Sequence, residues 1–238
     1  MPESAHEVPQ APAMFENRPF ILTEPEAPIM GVLVYLHGAR VDPLEGTSAI
    51  TEIRKYASVN GYLLVQPQGS IECTSLGIMG AGSKVCWDLR DIAEEVAFLT
   101  RLVNQVGQRF GDKLENRVML GYSNGGFLLG GALQRGLGGS WERVGIIAGG
   151  TVGDEFASPG SGPSVHIDIG TDDRWQLQPS RQLRDAIGHI DPKPSYREAP
   201  HGHAISAARM REFLSWWSAA PAAAGKSLER AQPQGATP

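Results

Sequence analysis

The nine residues Val118-Met119-Leu120-Gly121-Tyr122-Ser123-Asn124-Gly125-Gly126 read as the end of a buried strand, a sharp turn and the start of a helix. Val118, Met119 and Leu120 close an apolar run, and Phe127, Leu128, Leu129, Ala132 and Leu133 continue as a helix that is apolar nearly all round. Between them, Gly121-Tyr122-Ser123-Asn124-Gly125 fits Gly-x-Ser-x-Gly, and in this strand-to-helix context the pattern describes a nucleophile elbow. Glycine is needed at both flanks because a Cβ two residues either side of Ser123 would meet neighbouring chain in so tight a turn. The turn lifts the Ser123 Oγ out of the sheet. The Asn124 N–H, at the start of the helix, then points toward a carbonyl oxygen arriving at the serine.

Working outward, Gly31-Val32-Leu33-Val34-Tyr35-Leu36 has the continuous apolar character of a central parallel strand. It ends in His37-Gly38-Ala39-Arg40. Backbone N–H groups at the carboxyl edge of such a sheet face a ligand site; this makes Ala39 the second candidate oxyanion donor and places Arg40 near a substrate. Thr47 or Ser48 caps a predicted helix to Val59, which Asn60-Gly61 stops, and Tyr62 to Val65 is the next strand. Strand, helix, strand is the unit of a parallel sheet. The Gly- and Ser-rich residues 68–85 form a long loop suited to walling a pocket, with Trp87 either a candidate substrate contact or a staple of that loop to the core. Asp88 or Asp91 caps a helix with Ile92, Val96, Leu99, Val103 and Val106 inward and Glu94, Glu95 and Arg101 toward water; Gly111 stops it. Val144 to Ala148, Val165 to Ile169 and Tyr196 to Ala199 complete the strands. Helices are expected from Ser180 to Gly188 and from Ala204 to Trp217.

The expected fold is therefore α/β: a mostly parallel central sheet flanked by helices, with no large cap domain. Residues 1–17 carry Pro2, Pro9 and Pro12 with little periodicity and read as a flexible arm, 18–217 as the domain, and 218–238 as a disordered tail. A net charge of −5 with no Lys/Arg cluster argues against nucleic acid or an anionic membrane as partner. No run is long and apolar enough for a membrane span, and Met1 to Met14 lacks the basic start and apolar core of a signal peptide. The expected location is the cytoplasm. Cys73 and Cys86 flank the glycine-rich loop and could pair in an oxidising compartment, but cytoplasmic placement makes free thiols the expectation. His201 and His203 lie two apart with no third ligand in sequence, so no metal or other cofactor is expected, and nothing fixes the oligomeric state.

A serine hydroxyl needs a neighbouring base to take its proton during attack, and that base needs a carboxylate to fix its tautomer. The chain supplies Ser123, then Asp172 and Asp173 after a strand, then His201 and His203 after another. Serine, acid, histidine is the order of a nucleophile-elbow sheet. His203 is the preferred base because it follows the Gly202 turn.

Taken together, Leu36-His37-Gly38, Val65-Gln66-Pro67-Gln68-Gly69, Cys86-Trp87, Glu95-Val96-Ala97-Phe98-Leu99, Gly121-Tyr122-Ser123-Asn124-Gly125-Gly126, Gly170-Thr171-Asp172-Asp173 and Gly202-His203 resemble the polyhydroxybutyrate-depolymerase and feruloyl-esterase-like group of α/β-hydrolases. The resemblance covers roughly residues 30–217. It implies a cofactor-free esterase with Ser123 as nucleophile, Asp173 as acid and His203 as base, with Asp172 as the competing acid. Ala39 and Asn124 would form the oxyanion hole, and Arg40, Trp87 and Trp175 would meet a small ester. Two departures stand out: Ile169 occupies the place of the family's histidine before Gly-Thr, and Ala204-Ile205-Ser206 replaces an aromatic stretch. The second is closer to small carboxylesterases and phospholipase-like hydrolases. Thioester or amide cleavage, acyl transfer to an alcohol, and a non-catalytic binding protein are the alternative readings.

Overall fold

The computed structural model describes residues 12–39, 47–77, 84–110, 114, 116–154, 157 and 161–219. The Gly31–Leu36 run forms strand β3, preceded by β1 (Ala13–Phe15) and β2 (Arg18–Thr23). Next come α1 (Ser48–Val59), β4 (Tyr62–Pro67), a two-stranded ribbon of β5 (Ile71–Glu72) and β6 (Val85–Cys86), and α2 (Ile92–Phe110). The chain continues through β7 (Arg117–Tyr122), α3 (Asn124–Gln134), β8 (Arg143–Ile147), β9 (Ser164–Gly170), α4 (Leu177–Ala186), β10 (Ser195–Ala199) and α5 (Ala207–Ala219). The sheet order is β1-β2-β4-β3-β7-β8-β9-β10, parallel from β4 to β10 and antiparallel at β1 and β2.

Alternation along β3 sorts the core into two layers. Val32, Val34 and Leu36 face one side, where Val96, Leu99 and Val103 of α2 and Leu128, Leu129 and Ala132 of α3 cover them. Leu33 and Tyr35 face the other, against Ile50 and Ile53 of α1 and Met210, Phe213 and Trp217 of α5. A strand covered on both faces has no polar side to show, which is why β3 reads as an unbroken apolar run. The helix starts follow capping chemistry: the Ile50 N–H donates to Thr47 Oγ1 at 3.2 Å, and the Glu94 N–H to Asp91 Oδ1 at 3.2 Å.

Several sequence expectations need correction. Ala13–Phe15 is not part of a flexible arm but an edge strand on β2, with Phe15 packed near Phe98 at 5.6 Å between ring centroids. Residues 1–11 lie outside the described residues, as does Gly111. Ser218 and Ala219 belong to α5 rather than to a tail; the rest of the proposed tail is also outside the described residues. α5 begins at Ala207, where Ser206 Oγ accepts the Arg209 N–H, so residues 204–206 stay with the loop before it.

Glu95 does not face water. It is 1% exposed, because the first turn of α2 lies under the loop that follows β4. Its Oε2 accepts from Arg18 Nη1 at 2.6 Å, its Oε1 accepts the Asp88 N–H at 3.0 Å, and Ser70 Oγ bonds to the same oxygen. A buried carboxylate with these three partners ties β2, the 68–70 turn and the 87–91 turn together.

Cys73 and Cys86 are disulfide-bonded, not free. The β5–β6 ribbon brings their Cα atoms to 4.9 Å, within bridging range. Closing a loop of this 13-residue separation restricts the unfolded chain by about 3 kcal/mol. Disulfides persist in oxidising compartments, which weighs against the cytoplasmic placement. Among the described residues no helix is long and apolar enough to cross a membrane.

His166 on β9 is 1% exposed, bonded to Ser164 Oγ at 3.1 Å and set edge-on to Trp216. Burial, helped by the Arg143 charge, holds its imidazole down at about 4. The unfolded imidazole takes a proton near 6.5, so between these values the unfolded state binds more protons and stability rises with pH. Going from pH 7 to pH 5 should therefore cost about 2 kcal/mol through this residue. Urea midpoints at the two pH values check it: His166→Gln should show a shallower pH dependence than wild type.

Candidate active site

The Gly-x-Ser-x-Gly turn takes the shape its glycines allow. Ser123 sits at φ 51°, ψ −115°, between the end of β7 and the first residue of α3. A Cβ on Gly121 would lie 2.5 Å from the Gly125 carbonyl oxygen, and one on Gly125 would run into the Leu36 carbonyl. Holding a serine at positive φ costs on the order of 1–3 kcal/mol. Neighbouring strands impose it: the Ser123 N–H donates to the Ile147 carbonyl at 2.9 Å, and the Gly125 N–H to the His37 carbonyl at 3.1 Å.

Three side chains from separate loops meet there. Ser123 Oγ lies 2.9 Å from His203 Nε2, and His203 Nδ1 lies 2.7 Å from Asp173 Oδ2. An ionised carboxylate only accepts, so Nδ1 carries the hydrogen and Nε2 is left to accept from the serine hydroxyl. Asp173 is 2% exposed at the turn after β9, whereas the His203 side chain keeps 43% exposure. Such a relay, dry at the acid end and reached by solvent at the imidazole, matches what proton removal from a hydroxyl requires.

The rivals are placed elsewhere. Asp172 is exposed and contributes its backbone N–H to the His201 carbonyl at 3.1 Å. His201 turns toward Glu212, with 3.6 Å between Nε2 and Oε2.

No protein-family model matches the chain, and neither does any curated protein sequence. Solved structures do. A carboxylesterase from Mesorhizobium loti superposes with a TM-score of 0.67 at 19% identity, over 89% of this chain and 100% of its own. The Bacillus cereus carboxylesterase gives 0.65 at 15% identity over 85% and 94%. An alpha-beta serine hydrolase homologue from Coxiella burnetii gives 0.60 at 15% identity over 90% and 98%. The fold is the α/β-hydrolase fold.

Within the α/β-hydrolase fold the carboxyl edge of the sheet is the functional edge, and the remaining candidates can be located against it. The turn carrying Ala39 runs beside the serine: a Cβ on Gly38 would come within 3.0 Å of the Ser123 Cβ. Asn124 opens α3, so its N–H is among the helix-start donors left without an intrahelical partner. Its side chain is engaged, with Oδ1 accepting the Trp87 N–H at 2.7 Å. Arg40 lies outside the described residues. Trp175, on the same turn as Asp173, is 88% exposed.

Trp87 is not a substrate contact. It is 0% exposed, its indole N–H donates to the His37 carbonyl at 3.2 Å, and its ring lies 5.4 Å from the His37 imidazole. His37 in turn accepts the Gly69 N–H on Nε2 at 3.0 Å. Trp87 and His37 therefore tie Gly69 and Trp87 to the turns that carry Ala39 and Asn124. The disulfide extends the tie, since Ala39, Ile71 and Leu76 pack against Cys73 and Cys86.

Sequence reasoning also missed Tyr122 and Arg209, which bond the backbone of the His203 loop. Adjacency to Ser123 was the available signal for Tyr122. A lone arginine on an apolar helix face was the signal for Arg209.

Proposed function

We propose that this chain is a serine hydrolase that cleaves small carboxylic esters through an acyl-enzyme on Ser123. The Ser123–His203–Asp173 relay carries the reading. The similarity in fold to carboxylesterases of Mesorhizobium loti and Bacillus cereus supports it. Ser123 Oγ attacks the acyl carbon while His203 Nε2 takes its proton, and His203 returns that proton to the departing alkoxide. Asp173 holds the Nδ1 hydrogen and stabilises the imidazolium between the two transfers. The Ala39 and Asn124 N–H groups receive the oxyanion. Water, deprotonated by the same imidazole, then attacks the acyl carbon, and the imidazolium passes that proton to Ser123 Oγ as the acyl–oxygen bond breaks and the acid leaves. No step calls on a metal or an organic cofactor.

Short-chain or aromatic acyl groups are the proposed substrates, with the exposed Trp175 at the rim. A tagged fluorophosphonate probe tests the reading directly, because it reacts only with a serine whose proton has somewhere to go. The wild-type protein should label at Ser123, mapped by peptide mass, and butyrate and cinnamate p-nitrophenyl esters should compete. A folded protein that stays unlabelled rejects the proposal.

A further inference from the structure

The base stands on a loop with no ladder to hold it. Residues 200–206 lie between the end of β10 and the start of α5, and the His203 side chain is 43% exposed, so packing alone does not fix its position. Yet three successive carbonyls of this loop are held from below. Arg209 Nη1 donates to the Gly202 carbonyl at 2.9 Å and to the Ala204 carbonyl at 3.3 Å. Between them, the Tyr122 hydroxyl donates to the His203 carbonyl at 2.7 Å.

Resting on the reading of His203 as the general base, we propose that Tyr122 and Arg209 are positioning residues that clamp the His203 backbone to the strands bearing the nucleophile and the acid. Tyr122 is the neighbour of Ser123 on β7 and is 5% exposed, so the nucleophile's own strand grips the base. The Arg209 side chain is 2% exposed, and Nη2 bonds to Asp168 Oδ1 at 3.2 Å. Asp168 is fully buried on β9, five residues before Asp173, and its other oxygen bonds to Arg197. One strand thus fixes the imidazole through Asp173 and, through Asp168 and Arg209, the backbone behind it. A buried ion pair serving the core alone would direct its remaining donors at core groups. Here Arg209 Nη1 is directed at the two carbonyls that flank the base. The arrangement matters because displacing a reacting group by about 1 Å costs on the order of a hundredfold in rate.

The test uses Tyr122→Phe and Arg209→Lys in the full chain. Tyr122→Phe removes one hydroxyl and no packing, and Arg209→Lys keeps a cation for Asp168 while giving up the fork across the two carbonyls. With p-nitrophenyl butyrate, kcat should fall about tenfold for Tyr122→Phe and by more for Arg209→Lys, with KM within twofold of wild type and a melting temperature within a few degrees. The low-field proton resonance of His203 Nδ1–H, visible with or without turnover, should be sharp in wild type and broadened in both variants. Wild-type kcat with a sharp resonance in both variants overturns the clamp. If Arg209→Lys does not fold, Tyr122→Phe decides alone. A wild type that shows the resonance but neither turns over ester nor labels with fluorophosphonate removes the esterase reading instead, while the line widths still judge the clamp.

Discussion

Ser123→Ala should leave about a millionth of the wild-type kcat on p-nitrophenyl butyrate, with the fold and melting temperature preserved. The magnitude follows from what the hydroxyl does. Without Oγ the proposed acyl-enzyme cannot form, and the proposed Ala39 and Asn124 donors can only polarise the ester for unassisted attack by water. Stability should hold because alanine inherits the same φ of 51° and the same strain, and the packed turn around the serine is built by Gly121, Gly125 and Leu36 rather than by the hydroxyl. Ser123→Gly is the informative companion: it should be as inactive but more stable by about 1 kcal/mol, since glycine takes positive φ without cost. Steady-state rates and thermal melts of the two variants check both halves. An alanine variant within tenfold of wild type would mean that the hydrolysis belongs to another group.

The sequence carried the frame of this site because its signals are local. A strand end, a glycine-flanked serine and an apolar helix lie within a dozen residues, and β9 and β10 each stop just before a candidate acid or base. What stayed illegible depends on contacts between distant segments. Helical periodicity alone put Glu95 on the water face of α2, but Arg18 lies 77 positions away and folds over it. Trp87 reads from sequence as either pocket wall or staple, and only the fold shows the His37 carbonyl waiting for its indole N–H. The thiols were assigned by compartment, whereas the β5–β6 register decides the matter by setting Cys73 and Cys86 side by side. Tyr122 and Arg209 act on backbone oxygens, which no residue pattern records.

The choice between adjacent aspartates offers a control within one turn. Asp173→Asn should lower kcat about 10,000-fold, and Asp172→Asn should leave it within about threefold of wild type. Both replacements exchange a carboxylate for an amide of the same shape within one turn, the buried one at Asp173 and the exposed one at Asp172. Only Asp173 meets the imidazole: its carboxylate accepts from Nδ1, which keeps Nε2 bare for the serine proton. An amide at 173 can donate to Nδ1 instead, which moves the hydrogen to Nε2 and leaves the base occupied at the atom that must accept. Asp172 enters the structure through its backbone N–H to His201, a bond that asparagine retains. Comparable losses in the two variants would mean that charge, not tautomer control, is what this turn supplies. The wide separation expected here is the signature of a carboxylate that works by holding one hydrogen on one nitrogen.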